Sequence, residues 1–387
     1  MKRRWKLLML HLIKKIIKKA LMDGFYLFPV QRKVVFINFN GRGFGCNPKY
    51  IALEMIQENI NADLVWLVND ITLSMPDEIR KVRWGSVSYF YELATAKIII
   101  TNVKNQLPFH KKKNQKLIQT WHGSNPYKYV EAETIETLSA TYINESKKNS
   151  LITDIFISDG PKTSSWYRKS FWCNCEILES GMPRDDILTN GTLKQKQEIR
   201  MQFQLDMDKK IILYAPTFRD DKSLEGYTLN FENVIDSFQK KFGGDWRILL
   251  RLHPNAIMHL VVPSKLKGKI IDVSTYPDAQ ELIFASDALI TDYSSICNDF
   301  LAMNKPVFLY VPDLDNYIHN NRKLKKSYFD LPIRKNKSDA SLIWSIMNFN
   351  YDIYEENINE YKKEYFGIHD GYASKRVVSK IATLLDE

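Results

Sequence analysis

The chain has 387 residues, 44% hydrophobic and 26% charged, with a formal net charge of +10. This composition excludes a disordered or fibrous chain and leaves room for two domains of ordinary size. Cys46, Cys173, Cys175 and Cys297 are too few for a disulfide framework, show no metal-ligand spacing and fit a reducing compartment.

The positive charge is concentrated at one end. Residues 1–20 hold Lys2, Arg3, Arg4, Lys6, Lys14, Lys15, Lys18 and Lys19 and no acid, while the remainder balances 47 basic against 45 acidic residues. A nucleic-acid binder more often spreads its excess over the folded surface, so no nucleic-acid partner is expected. Trp5, Met9, Leu12, Ile13, Ile16 and Ile17 recur at helical spacing, with the lysines largely opposite. The longest uncharged run, Leu7 to Ile13, is too short to span a bilayer. The expectation is an amphipathic helix over residues 1–22 lying on an anionic membrane surface, with about 1 kcal/mol from each basic residue. A soluble helix packed on the body is the alternative.

Beyond it, apolar runs predict strands at 34–39, 64–68, 97–102, 116–120, 154–158 and 175–179, with helices near 48–59 and 87–96. Residues 184–209 are more polar, include a helix near 192–204 and read as a domain junction. A second series of strands follows at 210–215, 246–252, 269–273, 288–291 and 307–311. Helices are expected near 231–242, 278–286, 295–303, 338–348 and 371–385. Strands alternating with helices predict parallel doubly wound sheets. The fold class is therefore α/β with GT-B architecture: two Rossmann-like domains, 23–205 and 206–387, facing a cleft, the final helices packing back, plus the helix at 1–22.

Six short segments carry chemistry. Trp121-His122-Gly123 ends the strand at 116–120, and Ser124, Asn125 and Pro126 read as a turn toward a helix. Imidazole titrates near neutrality, so His122 is a candidate general base; a structural hydrogen-bonding histidine is the plainer reading. Arg251-Leu-His-Pro254 ends a strand, and side-chain alternation places Arg251 and His253 on one side, where both reach one phosphate. Asp292, Tyr293, Ser294 and Ser295 follow a buried strand and open a helix; the serines are good caps, and a helix N-terminus attracts anions. Asp292 is expected to orient neighbours rather than touch phosphate. Arg219, after Ala215-Pro-Thr-Phe218, is a candidate phosphate ligand or domain clamp, and Arg184, in Gly181-Met-Pro-Arg-Asp-Asp186, a candidate binding or ion-pairing residue. The last segment is Asp370-Gly-Tyr-Ala-Ser-Lys-Arg-Val-Val378.

Two other patterns carry less. Gly41-Arg-Gly-Phe-Gly45 is not the dinucleotide fingerprint, because its third glycine comes one residue early. Asp313-Leu-Asp315 has the D-x-D spacing of metal-dependent glycosyltransferases but reads as a loop and helix start; no metal site is expected.

In this order the six segments resemble the CDP-glycerol glycerophosphotransferases, the builders of teichoic acids and related phosphate polymers, over residues 34–383. The resemblance implies phosphoryl transfer: an acceptor hydroxyl attacks the phosphorus bearing glycerol and CMP leaves. It implies His122 as base, with His253 stabilising the diphosphate or protonating CMP. Arg251, Ser294, Ser295, Asp292, Arg219, Arg184 and Gly123 are the implied substrate-binding set. The implied partners are CDP-glycerol or CDP-ribitol and a prenyl-diphosphate-linked saccharide or polymer, at the cytoplasmic face of the bacterial membrane, with no cofactor. Phe218 in place of the family's usual Trp is a mild change; Ser124-Asn-Pro-Tyr-Lys-Tyr129 replaces the usual Thr-Pro-Leu-Lys-Lys, and residues 130–150 after it are also individual, which leaves the acceptor least defined. A nucleotide-sugar glycosyltransferase and a catalytically silent nucleotide-binding scaffold are the competing readings.

Overall fold

The computed structural model describes residues 20–104, 111–219, 225–252 and 266–387. The basic segment 1–19 lies outside them, as do His253 and Pro254. The chain divides into two compact units: residues 1–122, 134–184 and 372–387, and residues 123–133 and 185–371.

Among its described residues the first unit holds a seven-stranded sheet: β1 (Gln31–Ile37), β2 (Asp63–Val68), β3 (Ile79–Arg83), β4 (Ala96–Thr101), β5 (Lys116–Gln119), β6 (Ile155–Ser158) and β7 (Glu176–Glu179). The order is β3-β2-β1-β4-β5-β6-β7, with every neighbouring pair parallel. A parallel sheet is covered on both faces, so its central strands read as unbroken apolar runs. Val34 to Ile37 and Ile98 to Ile100 are fully buried accordingly. One face packs on helices Cys46–Gln57 and Ala373–Asp386 through Ile51, Met55, Val377, Ile381 and Leu384. The other packs on helix Val87–Thr95 through Tyr89, Phe90 and Leu93.

The described part of the second unit holds a six-stranded parallel sheet: β8 (Lys209–Ala215), β9 (Asp245–Leu250), β10 (Ile270–Asp272), β11 (Ala288–Thr291), β12 (Val307–Tyr310) and β13 (Lys335–Asn336), in the order β10-β9-β8-β11-β12-β13. Helix Phe231–Phe242 buries Phe231, Val234, Ile235 and Phe238 at a spacing of three to four residues, the stripe an amphipathic helix needs.

Three sequence expectations change here. The units do not meet at 205/206. Helix Leu193–Met201 belongs to the second unit, where Arg200 is buried against the Ala285 carbonyl and the Asp287 carboxylate. Helix Ala373–Asp386 belongs to the first, tied there by Arg376 donating to the Ser180 carbonyl and by the Arg32–Asp386 ion pair. Strand β9 stops at Leu250, short of Arg251. Beyond that point Arg251 N–H still reaches the Tyr214 carbonyl, but Leu252 N–H turns to the Ser274 hydroxyl, so the ladder is broken before His253. No helix follows Pro126 directly: Tyr127 is buried in the second unit's core, Lys128 pairs with Leu324 in an isolated bridge, and the next element is a 3-10 helix at Glu131–Thr137.

Candidate active site

In an open α/β sheet, ligands gather beyond the carboxyl ends of the strands where the strand order reverses. In the first unit that point lies between β1 and β4. Asn38 and Asn102 follow these two strands, both fully buried, and Asn102 Nδ2 donates to Asn38 Oδ1 at 2.7 Å. Asn102 Oδ1 accepts from Phe39 N–H at 2.8 Å. Asn38 Nδ2 donates to the carbonyls of Arg42 and Gly43, which folds the glycine loop back on itself. Gly41 sits at φ +85°, where an added Cβ would meet Asn69 and Trp84 at 3.1 Å. Tight packing therefore accounts for the first glycine of that loop.

His122 stands one strand away, past β5. Trp121 before it adopts φ +51°, a left-handed conformation that costs a non-glycine residue about 1–2 kcal/mol. Its N–H is held by Gln119 Oε1 at 2.8 Å and its carbonyl by Asn47 Nδ2 at 3.0 Å. The His122 ring packs against Phe39 and Trp121, and Nδ1 lies 3.0 Å from the Asn102 carbonyl. A carbonyl only accepts, so Nδ1 carries the proton in the neutral ring and Nε2 keeps the lone pair, the tautomer a general base needs. Arg184 donates from NH1 to the His122 carbonyl at 2.8 Å, and its own N–H reaches Asn47 Oδ1 at 3.0 Å. Arg184 thus braces the histidine loop from behind. Asn38 and Asn102 were not singled out by sequence reasoning; the available signal was an asparagine directly after an apolar strand in each case.

The second unit's reversal lies between β8 and β11. Here Arg219 is fully buried. Its Nε and NH2 form a fork on Asp313 at 2.6 and 3.0 Å, while NH1 reaches Asp292 at 2.7 Å and the Thr217 carbonyl at 2.5 Å. Burial alone would lower its pKa, but the Asp292 and Asp313 carboxylates outweigh that and hold it above the ordinary arginine value. The guanidinium lies over the rings of Tyr293 and Tyr317 at 4.9 and 5.1 Å, and a Cβ on Gly226 would strike it at 2.2 Å. Arg219 is accordingly committed to clamping the loops after β8, β11 and β12. Asp292 also accepts from the N–H groups of Thr217 and Tyr293, which fixes the approach to Ser294 and Ser295.

Ser295 is the N-cap of helix Ile296–Ala302 without a side-chain capping bond, and the Ser294 hydroxyl accepts from Ile296 N–H at 3.4 Å. Both serines are half-buried. Arg251 donates from NH1 to the Tyr276 carbonyl at 2.9 Å, and burial depresses its pKa. Asp313 is engaged by Arg219 and Asp315 pairs with Lys337 at 2.8 Å, so the D-x-D carboxylates serve separate ion pairs. The boundary between the units falls between His122 and Gly123. Structure thus joins His122 with Arg184, and Arg219 with Asp292, while Arg251, Ser294 and Ser295 occupy loops of the second unit. Among the described residues no helix is long and apolar enough to cross a membrane.

Comparison with known proteins places the chain in a family. The chain is 32% identical over 359 residues to the Teichoic acid poly(glycerol phosphate) polymerase of Staphylococcus epidermidis, covering 89% of this chain but only 50% of that protein. It is 29% identical to the Teichoic acid glycerol-phosphate transferase of Staphylococcus aureus, covering 95% of this chain and 98% of that one. The solved Wall Teichoic Acid Polymerase TagF superposes with a TM-score of 0.84 at 28% identity, over 100% of this chain and 98% of that chain, which makes the fold GT-B-like. Residues 25–383 match the family described as CDP-Glycerol:Poly(glycerophosphate) glycerophosphotransferase, and the chain belongs to that family.

Proposed function

We propose that this protein transfers glycerol phosphate from CDP-glycerol to a lipid-linked saccharide or a growing polyol-phosphate polymer and releases CMP. Family membership supports the reaction class, and a TagF variant was solved after a soak with CDPG. The observation that carries the reading is the His122 ring, half-buried beyond β5 with Nδ1 turned to a backbone carbonyl. In that tautomer Nε2 takes the proton of the attacking hydroxyl, and the attack on phosphorus expels CMP. Arg251, Ser294 and Ser295, with His253, stabilise charge on the diphosphate oxygens. Arg219 and Asp292 hold the loops that carry the serines, and Arg184 and Gly123 set the course of the chain around His122. The basic segment 1–20 holds the enzyme on anionic lipid at the cytoplasmic membrane face, where a prenyl-diphosphate-linked acceptor resides.

The test is CMP release from CDP-glycerol and from CDP-ribitol, with a synthetic prenyl-diphosphate disaccharide as acceptor, for wild type and His122→Ala. Acceptor-dependent CMP from CDP-glycerol with wild type only, and product mass raised by glycerol phosphate units, is the expected result. Release with CDP-ribitol alone would move the donor to ribitol, as in a Bacillus spizizenii relative named Teichoic acid poly(ribitol-phosphate) polymerase, 28% identical. Failure of either CDP-polyol to bind would overturn the proposal. Deleting residues 1–20 is expected to weaken binding to anionic liposomes, and unchanged binding would refute the membrane role.

A further inference from the structure

Two cysteines lie outside everything assigned so far. Cys173 and Cys175 occupy the short connection between helix Pro161–Ser170 and the edge strand β7, and their sulfurs stand 2.8 Å apart. A disulfide needs about 2.05 Å between sulfurs, so bond formation requires a sub-ångström approach across a loop rather than a rearrangement of the sheet. We propose that Cys173 and Cys175 form a peroxide-reactive dithiol that closes reversibly to an intrachain disulfide.

The surroundings favour this chemistry. The Lys104 ammonium sits over the Phe171 and Trp172 rings at 5.1 and 4.8 Å, so a cation is held beside the pair. The Cys175 hydrogen bond, with the Lys104 and Arg168 charges, brings the Cys173 thiol down to about 7, while the same bond raises Cys175. That direction makes Cys173 the more readily ionised of the two and suits it to the role of nucleophile, with Cys175 as resolving thiol. A cavity of about 10 Å³, lined by both thiols with Lys104, Gln119 and Ser150, adjoins the sulfurs. It has room for about one water, too little for a bulky organic disulfide.

The step balances as follows. The Cys173 thiolate attacks one peroxide oxygen and the O–O bond breaks; hydroxide leaves, and Cys173 becomes a sulfenic acid. Cys175 gives up its proton and attacks the Cys173 sulfur, and the sulfenic oxygen departs as water. Two thiols lose two electrons, and one peroxide becomes two waters. Phe171, two residues ahead, meets Trp121 edge to face at 4.7 Å, so the new bond forms one ring away from the residue preceding His122.

The experiment treats the full chain with hydrogen peroxide, counts free thiols and maps tryptic peptides by mass spectrometry. Both cysteines fall in the peptide 170–184. Two of the four thiols are expected to disappear, that peptide to lose two hydrogens, and dithiothreitol to restore both. In Cys175→Ser the reaction is expected to stop at a Cys173 sulfenic acid that dimedone traps, and Cys173→Ser to abolish the selective loss. Retention of all four thiols in wild type, or equal loss from Cys46 and Cys297, would overturn the proposal. So would a folded Cys175→Ser protein, judged by circular dichroism, that gives no dimedone adduct at Cys173. The wild-type peptide map decides alone if either variant fails to fold.

Discussion

The two loop systems beyond the sheet reversals solve the same positioning problem with opposite materials. In the first unit the scaffold is largely neutral: Asn38, Asn47, Asn102 and Gln119 hold the loop through amides around a half-buried histidine, and the Arg184 guanidinium adds one bond to the His122 carbonyl. In the second unit the scaffold is ionic: Arg219 is locked between Asp292 and Asp313 and walled by tyrosines. Amides orient a group through neutral hydrogen bonds, without pairing it with a fixed charge. A buried ion triad does the reverse. Its members cannot change charge without large cost, which suits loops that must hold still.

That contrast can be broken experimentally. The largest expected effect is on turnover: His122→Ala should lower CMP release by about 10²–10⁴-fold, the usual worth of a general base, with an unchanged urea midpoint. A matching loss of stability would mean that the imidazole is part of the scaffold. Next, Arg219→Ala should destabilise the protein by about 3–5 kcal/mol by urea denaturation, because two carboxylates are left buried without their partner. An effect below 1 kcal/mol would show that water relieves them and that the triad is not a clamp.

Asn47→Ala should cost about 1–3 kcal/mol, since the Trp121 carbonyl and the Arg184 N–H both lose a buried partner. The neutral-scaffold view requires kcat to fall while the apparent pKa of the base stays in place; a displaced pH profile would mean that the amides tune charge as well. A pH-dependent effect concerns Lys305, which burial pushes down to about 7 from an ordinary 10.5. Between those values the unfolded chain binds a proton that the folded chain does not, so stability should rise with pH across that window. Lys305→Met should flatten the rise in urea midpoints measured between them.

Much of this was legible in the sequence where the physics is local. Both sheets were readable because strands buried on two faces must be apolar throughout, as at Val34 to Ile37 and Ile211 to Ala215. Strand β3 was not, because Ile-Arg-Lys-Val-Arg is an edge strand with Arg80, Lys81 and Arg83 exposed. Helix Ala140–Ile152 escaped for a related reason: its buried residues are Ser146 and Asn149, so no apolar stripe marks it. The position of His122 at a strand end followed from the abrupt stop after Thr120. Its orientation did not, since the Asn102 carbonyl that fixes the ring is 20 residues away. Arg219 was legible as important but not as buried, because its partner Asp313 lies 94 residues on. Alternation wrongly carried β9 through Arg251, because nothing local announces that Leu252 will turn to a serine hydroxyl.

Helix Ala373–Asp386 covers one face of the first sheet, and the whole stretch 185–371 is made before it. On the ribosome the first unit must therefore wait, with Val34, Phe36 and Ile98 lacking part of their cover, while the main body of the second unit emerges and has the opportunity to fold. Synthesis order and completion order are reversed for the two units. The nascent chain is most exposed to chaperones and to aggregation over its oldest strands rather than its newest.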